Sequence, residues 1–137
     1  MSDEFPTGGS GCCTKLWKGD LNLGAGIGTF DVLQCTDGDI LIEKMALYST
    51  VTALVITSVS IQTNTANPFV FLSAANGLLS NLLIGRQITA TWNQMQPVLL
   101  RQNEKITYST VGLLGSGNIR AVIQWRQVQD GVGSITP

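Results

Sequence analysis

The sequence predicts an all-β protein, a jelly-roll-like antiparallel β-sandwich with an extended N-terminal arm. Three observations predict it: about eight short runs rich in β-branched and aromatic residues, near-regular spacing between them, and turn-forming residues at most of the gaps. In the clearest runs the apolar positions alternate with a period of two, the repeat of a strand with one buried face. A chain of 137 residues makes one domain and can bury roughly two-thirds of its unfolded surface.

The elements follow in chain order. Residues 1–28 read as the arm. Within residues 1–20, Thr7-Gly8-Gly9-Ser10-Gly11 has no period of either kind, and Leu16 and Trp17 read as the apolar anchors. Gly24-Ala25-Gly26-Ile27-Gly28 closes the arm; with no strand leading into it and no helix signal after it, it does not read as a phosphate loop. Residues 29–137 form the sandwich domain. Phe30 and Val32 start its first strand, which ends at the turn Thr36-Asp37-Gly38-Asp39.

Ile40–Tyr48 and Val51–Ile61 read as the next two strands, with Val55, Thr57, Val59 and Ile61 on one face. Asn67-Pro68 breaks the chain before Phe69–Leu72. Residues 74–85 are ambiguous, because Leu78, Leu79, Leu82 and Leu83 suit a short helix about as well as a packed loop. Gln87–Trp92 and Pro97–Leu100 follow. A turn at Gln102-Asn103-Glu104 leads into Lys105–Val111, and a Gly-Ser-Gly turn separates that strand from Gly117–Val128. In this last strand Ile119, Ala121, Ile123 and Trp125 point one way and Arg120, Val122, Gln124 and Arg126 the other.

Charge is the unusual feature. Only 12% of residues are charged, about half of the roughly 25% of an ordinary domain, and none lies between Lys44 and Arg86. Strands are normally kept from sticking by lysine and glutamate; here Thr, Ser, Asn and Gln stand in their place. Such a surface suits permanent contact with copies of itself or with a larger assembly. The net charge of −1 gives no basic footprint for nucleic acid, and polar residues interrupt the neutral stretch too often for it to be a membrane span. Ser2-Asp3-Glu4-Phe5-Pro6 has neither the basic start nor the apolar run of a signal peptide.

The chain contains no histidine, which removes every mechanism that leans on imidazole. Asp37 and Asp39 read as turn residues rather than calcium ligands. No spacing supports a glycosidase pair among Asp31, Glu43 and Glu104. The expectation is a non-enzyme with no cofactor and no metal. Trp17, Trp92 and Trp125, with Tyr48 and Tyr108, read as core or interface anchors, with sugar stacking as a minor option. Arg120 and Arg126 read as intersubunit salt-bridge donors. Three cysteines, Cys12, Cys13 and Cys35, match no zinc spacing; either they are reduced thiols of a protein made in a cytosol, or Cys12 or Cys13 links subunits covalently.

The stretch from Thr29 to Val128 resembles small jelly-roll structural proteins of tailed bacteriophages. The resemblance is carried by TFDVLQCTDGDILIEKMALYSTVT at residues 29–52 and by LLRQNEKITYSTVGLLGSGNIRAVIQWRQVQDG at residues 99–131. It implies a virion protein made in the host cytoplasm, most simply a homotrimeric decoration (cement) protein that clamps neighbouring major capsid subunits. The alternative is a tail or fibre component that recognises a host-surface glycan. On the first reading Cys12, Cys13, Leu16 and Trp17 of the arm lie at the contacts.

Overall fold

The structure is a computed structural model that describes residues 14–129 and 131–137. Eight antiparallel strands form one continuous sheet: β1 (Lys15–Asn22), β2 (Gly28–Thr36), β3 (Ile40–Thr63), β4 (Val70–Leu72), β5 (Gln87–Ile88), β6 (Val98–Leu100), β7 (Lys105–Gln127) and β8 (Ser134–Thr136). The fold is the all-β sandwich that the sequence predicts, and its construction depends on the two longest strands.

The 24-residue β3 and the 23-residue β7 run antiparallel along their whole length. One half of the pair joins Ile40–Val51 to Asn118–Gln127; the other joins Ser58–Thr63 to Ile106–Val111. Four of the five register shifts between them fall in the short stretch from Ser49 to Ser58. Bulges bend a strand and raise its twist, so the ribbon folds over there and its halves enter different layers. The first layer is β1, the 118–125 part of β7, the 40–51 part of β3, then β5 and β6. The second is β8, β2, the 105–111 part of β7, the 56–63 part of β3, then β4.

With each half of β3 and β7 taken as a separate strand, β5 and β6 together as the sixth, and β8 set aside as an edge addition, the layers read 1-8-3-6 and 2-7-4-5. This is jelly-roll order, in which successive strands alternate between two sheets except for the fourth and fifth, which are neighbours in one. One apolar core lies between the layers. Ile42, Leu47, Ile119 and Ile123 come from the first and Leu33, Ile61, Phe71 and Ile106 from the second, all essentially inaccessible to solvent. Phe71 and Trp92 meet edge-on with ring centroids 5.2 Å apart.

Three sequence expectations change. Residues 1–13 of the arm expected over residues 1–28 lie outside the described residues, and its remainder contains the strand Lys15–Asn22, with Trp17 and Leu21, and Leu23 just after it, alternating inward and the two leucines fully buried. Ser49-Thr50 and Gly115-Ser116-Gly117 are not chain reversals. Ser and Thr continue a strand without cost, and the glycines let β7 approach β3 closely, so each pair of expected strands is one bent strand. The expected face Val55, Thr57, Val59 and Ile61 splits. The shift between Ile56 and Ser58 flips the side chains, burying Val59 and Ile61 and leaving Val55 and Thr57 exposed.

Residues 74–85 form a loop with one 3-10 turn, Leu79–Asn81, in which Leu82 is buried. The alternation expected along Ile119–Arg126 is present as drawn. No helix among the described residues is long and apolar enough to cross a membrane.

Candidate interaction surface

Four connections meet at one end of the sandwich: residues 23–27 between β1 and β2, the bend of β3, residues 73–86 between β4 and β5, and the bend of β7. Backbone hydrogen bonds tie them together. Leu23 N donates to Gly117 O at 3.0 Å, Val59 N to Gly77 O at 2.9 Å, Gly85 N to Ser49 O at 3.1 Å and Ala53 N to Leu82 O at 3.4 Å. Thr110 Oγ1 donates to Gly26 O at 2.7 Å.

This end is where the chain's uncharged stretches converge. No Asp, Glu, Lys or Arg occurs in residues 23–27, 45–85 or 106–119, and Arg86 at the margin is the one charge between Lys44 and Arg101. It is also where aliphatic side chains face solvent. Ile27, Val51, Leu54, Val55, Ile84, Val111, Leu113 and Leu114 are each more than half exposed, Leu113 reaching 72%. Val55 holds a φ of +75°, which a β-branched residue seldom adopts; backbone strain of this kind collects at functional sites.

Magnitudes show what such a surface can do. Fully burying one such side chain is worth about 1.5–3 kcal/mol, so the exposed halves of eight supply roughly 6–12 kcal/mol if a partner covers them. Association itself costs about 4–15 kcal/mol, a range that overlaps this gain, so contact over the whole end can offset the cost where a single scattered apolar residue cannot.

The open edge at β1 shows the opposite design. It carries Lys15, Lys18 and Asp20, the charges that keep an exposed strand from pairing with a stranger. The contrast lies within one molecule: charged where it must stay free, neutral and apolar at the end.

The residues singled out from sequence lie elsewhere. Leu16 is exposed on β1 opposite Gln124, and Trp17 is half-buried opposite Ile123 with its ring against Gly19. Cys12 and Cys13 lie outside the described residues. Arg120 and Arg126 are exposed as expected, but their carboxylates come from the same chain. Arg120 Nε donates to Asp20 at 2.9 Å and Arg126 Nε to Glu43 at 3.0 Å, so each guanidinium has a carboxylate partner within its own chain. The Arg120 guanidinium holds the Asp20 carboxyl below its ordinary range by hydrogen bond and charge. An exposed pair such as Arg126–Glu43 is worth at most about 1 kcal/mol.

The acids considered for chemistry have structural partners. Asp31 pairs with Lys105 at 2.9 Å, Glu104 accepts from Arg101 N at 2.8 Å, and Asp39 accepts from Gln102 N at 2.9 Å. Asp37, at φ +59°, takes Ser134 Oγ at 3.2 Å, which is turn chemistry. Among the described residues no group of three or more acids and cysteines is placed to hold a metal ion. Trp92 and Trp125 are buried and offer no flat platform for a sugar ring.

Cys35 is fully buried, with its Sγ donating to Gly38 O at 2.8 Å. Burial first, then the nearby Asp39 carboxylate, pushes its pKa up from 9.0 to about 11, and burial likewise raises Tyr108 above 10.0. Both groups are neutral at pH 7, so Cys35 is an unreactive thiol. In the unfolded chain these groups ionise at lower pH than in the fold. For Cys35 the contribution to stability is therefore complete below pH 9 and lost as pH rises through about 11, and the raised Tyr108 adds a loss in the same direction at alkaline pH. Thermal melts should show a falling midpoint from pH 9 to 11, and Cys35→Ala should remove part of that slope; an unchanged slope would contradict the assignment.

Comparison with protein-family models, with curated proteins and with solved structures finds no match to this chain.

Proposed function

We propose that this chain is a structural subunit that works by being covered: a virion protein of the capsid-decoration kind that the sequence resemblance implies, acting as a homotrimer. One observation carries the reading, the convergence of three uncharged stretches on one end of the sandwich, where eight aliphatic side chains face outward. A closed homo-oligomer brings the same surface of each copy to a common axis, so charge there would oppose itself and its absence favours assembly. Thr14, the first described residue, bonds Glu43 at the opposite end. The described chain therefore begins at the end away from the apolar surface.

A decoration protein binds the assembled shell better than separate subunits and stabilises it by mass action. Removing residues 1–20 would take most of β1 from the sheet, so the informative truncation is residues 1–13. Electron microscopy of phage heads mixed with the full chain should show it on the shell as three-fold clusters, and with the truncated chain far fewer. Bare heads with the full chain would sink the decoration role while leaving self-association to be judged separately.

A further inference from the structure

Beside the apolar end lies a polar cleft of about 400 Å³ formed by the β4–β5 connection and β5. Its wall holds Asn76, Ser80, Asn81, Gln87 and Thr89, and one cation, Arg86. Arg86 has no carboxylate partner among the described residues, unlike Arg120, Arg126 and Lys105. The backbone around it is fixed on both sides: Arg86 N donates to Leu83 O at 3.1 Å, and Ser49 N donates to Arg86 O at 3.3 Å.

The amides are set as firmly. Asn76 Nδ2 donates to Thr89 O at 3.2 Å and Asn81 Nδ2 to Asn76 O at 3.0 Å. Ser73 Oγ accepts from Asn76 N at 3.2 Å and from Thr91 Oγ1 at 3.0 Å. With the Asn76 and Asn81 amide nitrogens engaged in the loop, their amide oxygens are oriented and accept no hydrogen bond among the described residues. The cleft thus offers fixed acceptors beside a forked cationic donor. Its volume is that of a small-ligand site, but polar groups dominate its wall, which suits a hydrated polyol and not an apolar compound.

We propose that this cleft binds an acidic sugar, a hexose carrying a carboxylate or phosphate group. The acid lies on Arg86, and ring hydroxyls donate to Asn76 and Asn81. Arginine takes either oxyanion in a two-point hydrogen bond, and side chains held in place before binding lose little freedom on contact. The site does not depend on the assembly reading, since every group in it comes from one chain.

The test is a titration of the full-length, assembled protein, followed by NMR or calorimetry, with glucuronate, glucose 6-phosphate, glucose, inorganic phosphate and a short glutamate peptide. At least one of the two acidic sugars should bind in the millimolar range or tighter and at least tenfold better than glucose; which of them binds distinguishes carboxylate from phosphate. Arg86→Gln should weaken that binding about tenfold or more, and Asn81→Ala should weaken it while leaving inorganic phosphate unaffected. The proposal is overturned by no binding of either sugar, by equal affinity in Arg86→Gln, or by the peptide or inorganic phosphate binding as well as the best sugar.

Discussion

If the charge-free end joins copies as proposed, replacing Leu113 and Leu114 together by glutamate is expected to leave a folded monomer. The two side chains are 72% and 61% exposed, so the fold loses almost nothing when they change, and surface substitutions of this kind usually cost within about 0.5 kcal/mol. In the assembly the effect is far larger. Each copy would bring two carboxylates to a surface that has no cation except Arg86 at its margin. Burying an unpaired charge at an interface costs several kcal/mol, and three copies around an axis multiply the repulsion. Sedimentation should report a shift to single chains with unchanged circular dichroism. A substitution that leaves the mass of the assembly unaltered would place the contact somewhere else.

Gly115→Ala should be among the most destabilising single-atom-scale changes in the molecule. A Cβ there would sit 2.0 Å from Leu54 O and 2.9 Å from Ile56 N, both backbone atoms of the neighbouring strand. Neither can move without prying β3 from β7 at the bend that turns one sheet into two layers. The expected loss is roughly 2–4 kcal/mol, in the range of overpacked cores, with a fall in Tm on the order of 10 °C. Gly85→Ala is the control. Its φ of +76° carries strain but nothing lies within 4 Å, so it should cost only about 1 kcal/mol. If the two variants melt alike, close approach at Gly115 is not what holds the bend.

Much of this architecture could be read from residues alone. The alternation of Ile119, Ala121, Ile123 and Trp125 against Arg120 and Arg126 needs only a period of two, and the structure keeps it. The turn at Asp37-Gly38 and that at Gln102-Asn103 were marked by residues that accept positive φ, and Asp37, Gly38 and Asn103 all adopt it.

What failed to show is instructive. β1 alternates at Trp17, Leu21 and Leu23, but Gly19 interrupts the pattern and the charges of an edge strand resemble those of a linker. β8 is three residues long, too short for periodicity to register. The bends were hidden because a glycine that permits close contact between strands looks the same in sequence as one that permits a turn.

The neutral stretch between Lys44 and Arg86 was visible from composition. Its meeting with residues 23–27 and 106–119 was not, because those segments are distant in the chain and only jelly-roll order gathers them at one end. The Arg86 cleft has the same origin. One cation among amides carries no signal until the loop folds around it.

The mass of the full chain in dilute solution tests the central claim most directly. Sedimentation equilibrium at tens of micromolar, where contacts of this size should be populated, is expected to give three times the 14.6 kDa of one chain. A mass of 14.6 kDa under those conditions, with Leu113, Leu114 and Val55 open to solvent, would mean that the charge-free end is not built to be covered by copies of itself.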